Sequence, residues 1–315
     1  MENYIKNRYD FVFLYDVKDG NPNGDPDFDN QPRIDFETRE GLVSDVCIKR
    51  KVRNFVQLKL ESGELSKDKF DIFIRQGNIL NNIISEESEK AGGDEKKGRI
   101  AMCDKYFDVR TFGAVLSTGS EEAKEEENPD EASSNGQKKN EKKGKKKKVL
   151  GVVRGPVQFV FSRSIDPIDS RTHSLTRCCI TKEEDKDKET TFGNKSTVSY
   201  GLYRMHGYIS AFDGEKCHFT ETDLELLWEA LMNAFEHDRS AARGEMTARV
   251  LIVFKHESKL GNARASELFD LVKIVKNAGV EFPRSYTDYK VTINKNNCPI
   301  GVAIEARGIT VEEII

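Results

Sequence analysis

Residues 19–30 read DGNPNGDPDFDN, and three chemistries use a stretch of this kind. Alternating carboxylates hold a calcium ion or the Mg²⁺ of a phosphodiester-cleaving site. Glycines let a ligand approach the backbone, and asparagine amides donate to phosphate oxygens. The calcium pattern matches at Asp19, Asn21, Asn23 and Gly24, but Asn30 stands where the bidentate glutamate belongs. Asp25, Asp27 and Asp29 alternate, yet no acid or base elsewhere in the chain stands out to work with them, and the five histidines are scattered. Asx turns are the plainer use of these aspartates.

The second cluster is SDVCIKRKVRNFV, residues 44–56. Lys49 and Arg53 are four apart and share one helix face, with Arg50 and Lys51 flanking it. Such a face either tracks phosphates or is merely solvated. Further on, Arg239, Arg243 and Arg249 surround a small-residue turn, where one arginine is expected to pair with Asp238 or Glu245 and Arg243 is a phosphate candidate. RTFGAV, Arg110–Val115, partly matches an RNA-recognition signature but lacks its glycine and following aromatic.

These residues need positioning elements. Tyr9–Val17 reads as a strand apolar on both faces. Ser44 can cap a helix running to about Leu60, with Val52, Phe55, Val56 and Leu60 inward. Residues 61–118 mix short apolar runs with turns, and 88–99 reads as a loop. Residues 119–148 are acidic, then Ser/Asn/Gly, then lysine-rich, so they build no core and are expected to be disordered. Strand sequence returns at Val149–Ser162, broken near Gly155-Pro156, and at Val198–Phe212. Between them, 164–197 is polar and turn-rich. Thr220–Phe235 predicts a helix opened by a Thr220–Asp223 capping box, and Arg249–Phe254 a strand. The pattern further predicts a helix over Ala263–Ala278 closed by Gly279, and a hairpin over Tyr289–Ile304 turning near Asn296-Asn297. Without its insertions the order is β-α-β-β-α-β, the ferredoxin-like arrangement that the RNA-recognition motif shares.

The chain has 315 residues, a net charge of −4 and 33% charged residues, so any polyanion site must be a local patch. It has no apolar run of about 18 residues, and the N-terminal sequence predicts no secretory signal. Cys47, Cys103, Cys178, Cys179, Cys217 and Cys298 form no CxxC pair and are expected to be reduced thiols.

Seven segments carry a resemblance: YDFVFLYDVKDGNPNGDPD, GLVSDVCIKRKVRNFV, DVRTFGAVLS, GPVQFVFSRSIDPI, SYGLYRMHGYIS, DLELLWEALMNAFEHDRSAARGEM and VFKHESKLGNA. Together they resemble the backbone subunit of type I-C CRISPR surveillance complexes (Cascade) over roughly residues 7–275. The 119–148 segment departs from that pattern. The resemblance implies an α+β fold, an RNA-recognition-motif-like palm (1–60, 149–163 and 198–315) with a fingers insertion (61–148) and a thumb hairpin (164–197). It implies a non-catalytic, cytoplasmic subunit without cofactor or metal. Its partners would be guide RNA, target DNA, further copies of itself, and the guide-processing and large subunits, with no membrane. The implied RNA contacts are Lys49, Arg53, Arg50, Asn21, Asn23, Ser44, Arg33, Arg110 and Arg243, with Arg163 and Arg177 on the thumb side. The rival from the same superfamily is a type III backbone subunit that cleaves RNA, for which Asp25 lies in the corresponding loop.

Overall fold

The computed structural model describes residues 3–117, 149–177, 179, 191–308 and 312–314. The first strand, β1 (Tyr9–Gly20), sets the architecture. Phe11, Phe13, Tyr15 and Val17 fill one buried cluster, and Val12 and Leu14 fill another on the opposite face. A strand buried on both faces must lie inside a three-layer arrangement. Its two acidic residues on the Val12 face are therefore paired. Asp16 accepts from Arg249 Nε and Nη2 at 2.9 and 2.8 Å and from the Tyr200 hydroxyl at 3.0 Å. Asp10 meets the Arg8 guanidinium at 2.9 Å and His256 Nε2 at 2.8 Å. His256 Nδ1 accepts from the Asn262 amide, so the proton on this buried ring sits on Nε2.

After β1, β2 (Gly24–Asp25) and β3 (Gln31–Pro32) form a short ladder, and β4 (Glu40–Val43) leads into α1 (Asp45–Glu61). An insertion follows: α2 (Lys67–Phe70), α3 (Leu80–Lys90), α4 (Glu95–Lys105), α5 (Phe107–Phe112), and the ribbon of β5 (Gly113–Ser117) with β6 (Val149–Arg154). Its own small core includes Phe73, Ile84, Met102, Tyr106, Leu116 and Leu150. The chain then makes β7 (Val157–Phe159), β8 (Ser162–Pro167), β9 (Ser170–Arg177) and the long β10 (Thr191–Ile209). Next come α6 (Ala211–Lys216), α7 (Glu221–Met232) and β11 (Glu245–His256). A C-terminal lobe adds α8 (Ala265–Asp270), β12 (Val272–Lys276), β13 (Tyr289–Asn294), β14 (Val302–Gly308) and β15 (Glu312–Ile314).

The main sheet runs β14-β11-β1-β10-β8-β4, with β7 and β9 also paired to β10. Its centre, β11-β1-β10-β7/β8 with α1 and α7 between strands, is the antiparallel order of the ferredoxin-like unit that the sequence predicts. Residues from α7 pack on the Phe11 face, where Trp228 meets Phe11 edge-on at 5.0 Å. The other face, the open platform of an RNA-recognition motif, is covered: Leu268, Phe269, Val272, Tyr289 and Val291 seal it. Among the described residues no helix is long and apolar enough to cross a membrane.

Four sequence expectations are corrected. Ala263–Ala278 is a short helix followed by a strand, because Val272, Ile274 and Val275 are β-branched and pair with β13. Gly279 adopts φ 84° in the turn after that strand, not at a helix end. Tyr289–Ile304 is no hairpin: β13 pairs with β12, and β14 crosses to β11. Residues 88–99 are largely helical because Asp94 caps α4, accepting from the Lys97 amide at 3.0 Å. The charged stretch 119–148 lies outside the described residues.

The fourth correction is Arg110. RTFGAV runs from α5 into β5, away from the main sheet, and Arg110 is 4% exposed. Its Nε and Nη2 donate to Asp223 at 2.9 and 2.6 Å, and Nη1 donates to the Lys69 carbonyl at 2.6 Å. Asp223 also closes the capping box of α7. Arg110 thus pins the insertion to α7 and is not free for RNA. Arg110→Ala is expected to destabilise the fold by about 3–5 kcal/mol, since it strands a buried carboxylate. Chemical denaturation checks this, and the salt dependence of any nucleic-acid binding by the folded fraction should not change.

Candidate nucleic-acid interface

The stretch 19–30 folds as a turn-rich cap on α1. Asn21 is buried; its amide nitrogen donates to the Asn30 carbonyl at 2.7 Å and its backbone N–H to Ala242 at 2.7 Å. Asn23 Oδ1 accepts from both the Ser44 amide and the Ser44 hydroxyl at 2.9 Å, so Ser44 sits at the N-cap of α1 but its side chain serves the loop. A Cβ on Gly20 would lie 2.0 Å from the Arg243 carbonyl, and one on Gly244 would lie 2.3 Å from the Asp19 carbonyl. The glycines therefore let the loop and the turn before β11 touch. Asn21, Asn23 and Ser44 are thus structural ties within the loop.

The aspartates do not converge. Asp25 pairs with Arg33 at 3.2 Å and accepts from the Asp27 amide at 3.2 Å. Asp27 and Asp29 are exposed. Among the described residues no three His, Cys, Asp or Glu side chains group to hold a metal ion.

The four cations of α1 have different fates. Arg53 is clamped by Asp108 at 2.8 Å, a buried carboxylate that also accepts from the Phe73 and Ile74 amides. Lys51 is buried and bonds Asp238 on the α7 side. Lys49 reaches back to Asp45 at 2.9 Å and lies over the Phe112 ring at 5.6 Å. Arg50 is exposed and, among the described residues, has no hydrogen bond or ion pair. Both cations are mostly enclosed, Lys49 at 13% and Arg53 at 11% exposure, but Asp45 is 24% exposed where Asp108 is 1%, so the Lys49–Asp45 pair is the more exchangeable of the two.

Arg243 joins the group from the other loop. It meets Asp238 at 3.1 Å, the carboxylate that Lys51 also holds. The Cys47 thiol lies among these charges: burial pushes its pKa up, and Lys51, Arg243 and Arg50 oppose that shift. Two cations on one carboxylate, with the exposed Arg50 on the same helix as Lys51, leave local positive charge on a chain of negative net charge. Arg239 stands nearby in sequence, half exposed, paired with Glu236 at 3.1 Å. The expectation that one arginine of this turn pairs with Asp238 or Glu245 is met by Arg243 on Asp238, but Lys51 as the buried second partner of that carboxylate was missed. Lys51 and Asp238 are 187 positions apart, so spacing gives no signal.

The remaining candidates lie elsewhere. Arg163 is exposed on β8 and bridges Asp35 and Glu40 at 2.8 and 3.0 Å, which holds the loop after β3 to the sheet edge. Arg177 ends β9, and its side chain lies outside the described residues. The β9–β10 ribbon projects with Arg171–Thr176 exposed.

The family model described as CRISPR-associated protein Cas7 matches residues 7–294. The CRISPR-associated protein Cas7 of Haloferax volcanii is 26% identical over 307 residues, covering 92% of this chain and 81% of that protein. A chain of a CRISPR RNA-guided surveillance complex in a pre-nicking state overlaps with a TM-score of 0.43 at 12% identity, covering 78% of each chain. A chain of the type III-B Cmr-beta complex bound to cognate target RNA overlaps at 0.40 and 11% identity, covering 78% of this chain and 61% of that one.

Asp238 is the test of the cluster. Asp238→Asn removes the shared anion and is expected to strengthen polyanion binding and steepen its salt dependence, by about 0.7 per cation released. It should also lower stability, because Lys51 keeps a buried charge without a partner. Binding to a labelled single-stranded RNA over a KCl series, beside a denaturation curve, checks both.

Proposed function

The chain belongs to the Cas7 family of CRISPR-associated proteins, and from that premise we propose that it is the non-catalytic, guide-RNA-binding backbone subunit of a type I surveillance complex, of the I-C kind. The observation that carries this reading is the set of cations where the 19–30 loop meets α1: Arg50 without an ion pair among the described residues, Lys49 on the part-exposed Asp45, and Arg243 sharing Asp238 with Lys51. Point charges on a helix face grip a phosphodiester backbone without reading bases. Sequence would then be read by pairing between guide and target DNA, while the protein holds backbone and shape.

In this reading the sheet with α1 and α7 is the palm, the α2–α5 insertion with its β5–β6 ribbon is the fingers, and the β9–β10 ribbon is the thumb. Several copies would follow one RNA, each placing its α1 cluster on successive phosphates beside the guide-processing and large subunits. The covered sheet face supports backbone binding over base stacking on the platform, because Phe269 already stacks on His206 there at 4.0 Å. The ion pair of Asp25 with Arg33 at 3.2 Å, which engages the carboxylate that a catalytic metal would need, supports a non-catalytic role over the RNA-cleaving alternative.

Lys49→Ala/Arg50→Ala is expected to flatten the slope of log K against log[salt] for single-stranded RNA by about 1.4. Arg53→Ala is expected to act on stability instead. An unchanged slope in the double variant would move the RNA path away from α1. Incubating wild-type protein with RNA and Mg²⁺ should give no cleavage; cleavage lost in Asp25→Ala would establish the nuclease reading.

A further inference from the structure

A groove of about 310 Å³ opens where the base of the β9–β10 ribbon meets the loop between β12 and β13. Arg171, Ser199 and Tyr200 line it from the ribbon side, and Phe282 and Arg284 from the loop. The Phe282 ring is 70% exposed, which is costly for an aromatic unless something covers it. The guanidinium of Arg284 has no hydrogen bond or ion pair among the described residues. Arg171 pairs with Asp169 at 2.7 Å, but both side chains are more than half exposed, so that pair contributes little and yields to a better anion. The second acid in the wall, Asp166, is already held by the Tyr289 hydroxyl at 2.8 Å and Lys276 at 2.9 Å. Two available arginines beside an exposed ring make up the composition of a single-strand site, in which cations take the phosphates and the ring stacks a base of any identity.

The groove is also placed to continue the interface already described. Gly20, where the first loop begins, pairs in register with Val198 of β10, next to Ser199 in the groove wall. The α1 cluster and the groove therefore share one end of the sheet. We propose that this groove binds a nucleotide of single-stranded nucleic acid, its phosphate between Arg171 and Arg284 and its base on Phe282. The proposal rests on the nucleic-acid-binding reading of the chain. The strand has two possible sources: the RNA held at α1 running on over the sheet end, or a second strand paired with it.

The test uses the full-length chain with a labelled single-stranded RNA, alone and then with a complementary labelled DNA strand, each over a KCl series. Arg171→Ala/Arg284→Ala should flatten the salt slope by about 1.4, and the double Lys variant should restore it. Phe282→Ala should weaken binding about tenfold with the slope unchanged, and Phe282→Tyr should not. Effects on RNA alone assign the groove to the first strand; effects only on capture of the DNA assign it to the second. Wild-type RNA binding with every variant within about twofold of wild type for both strands overturns the groove and leaves the α1 reading standing. A wild-type chain that binds neither strand overturns both.

Discussion

Two-sided burial of β1 is the constraint from which the rest follows. A strand with Phe11, Phe13 and Tyr15 on one face and Val12 and Leu14 on the other must be covered twice. Helices α1 and α7 cover one face, and the C-terminal lobe covers the other. Covering both faces forces the buried acids of β1 to be paired, which is why Asp10 carries the neighbouring Arg8 and the distant His256, and Asp16 carries Arg249 from β11. It also removes the sheet face as a binding platform. A ligand is left the ends of the strands, their loops and the exposed side of α1.

That geometry explains why positive charge concentrates at one end of the sheet. The loop after β1 and the turn before β11 emerge side by side, and Gly20 and Gly244 let their backbones touch. The contact brings Arg243 against Asp238, which already holds Lys51 of α1. A chain with net negative charge thereby keeps a local cationic surface without a basic average. The opening run of aspartates and asparagines serves this arrangement as turn and capping chemistry.

Local signals in the sequence were legible where one physical rule decided the outcome. The strand at 9–17, the α1 stripe and the Thr220–Asp223 capping box follow from periodicity and capping alone. The β-α-β-β-α-β order follows from those elements. Val272 to Lys276 was misread because its apolar spacing fits either period, and pairing with β13 decides it. Charge is legible in sequence, but its partners are not. Arg53, Arg110 and Arg50 look alike as letters; Asp108 and Asp223 bury the first two and leave the third to solvent. The groove beside Arg171 and Arg284 had no sequence signal, because its walls come from segments about a hundred positions apart.

The central claim is that nucleic acid meets this protein at the strand ends and α1, with the C-terminal lobe remaining on the sheet. Hydrogen–deuterium exchange of the full chain, with and without single-stranded RNA, tests it most directly. The account predicts new protection at residues 19–24, 46–54 and 240–244, with β12 and β13 unchanged. Protection confined to β10 with loss of protection across β12 and β13 would contradict it, because that pattern means the lobe lifts away and the sheet face itself takes the RNA.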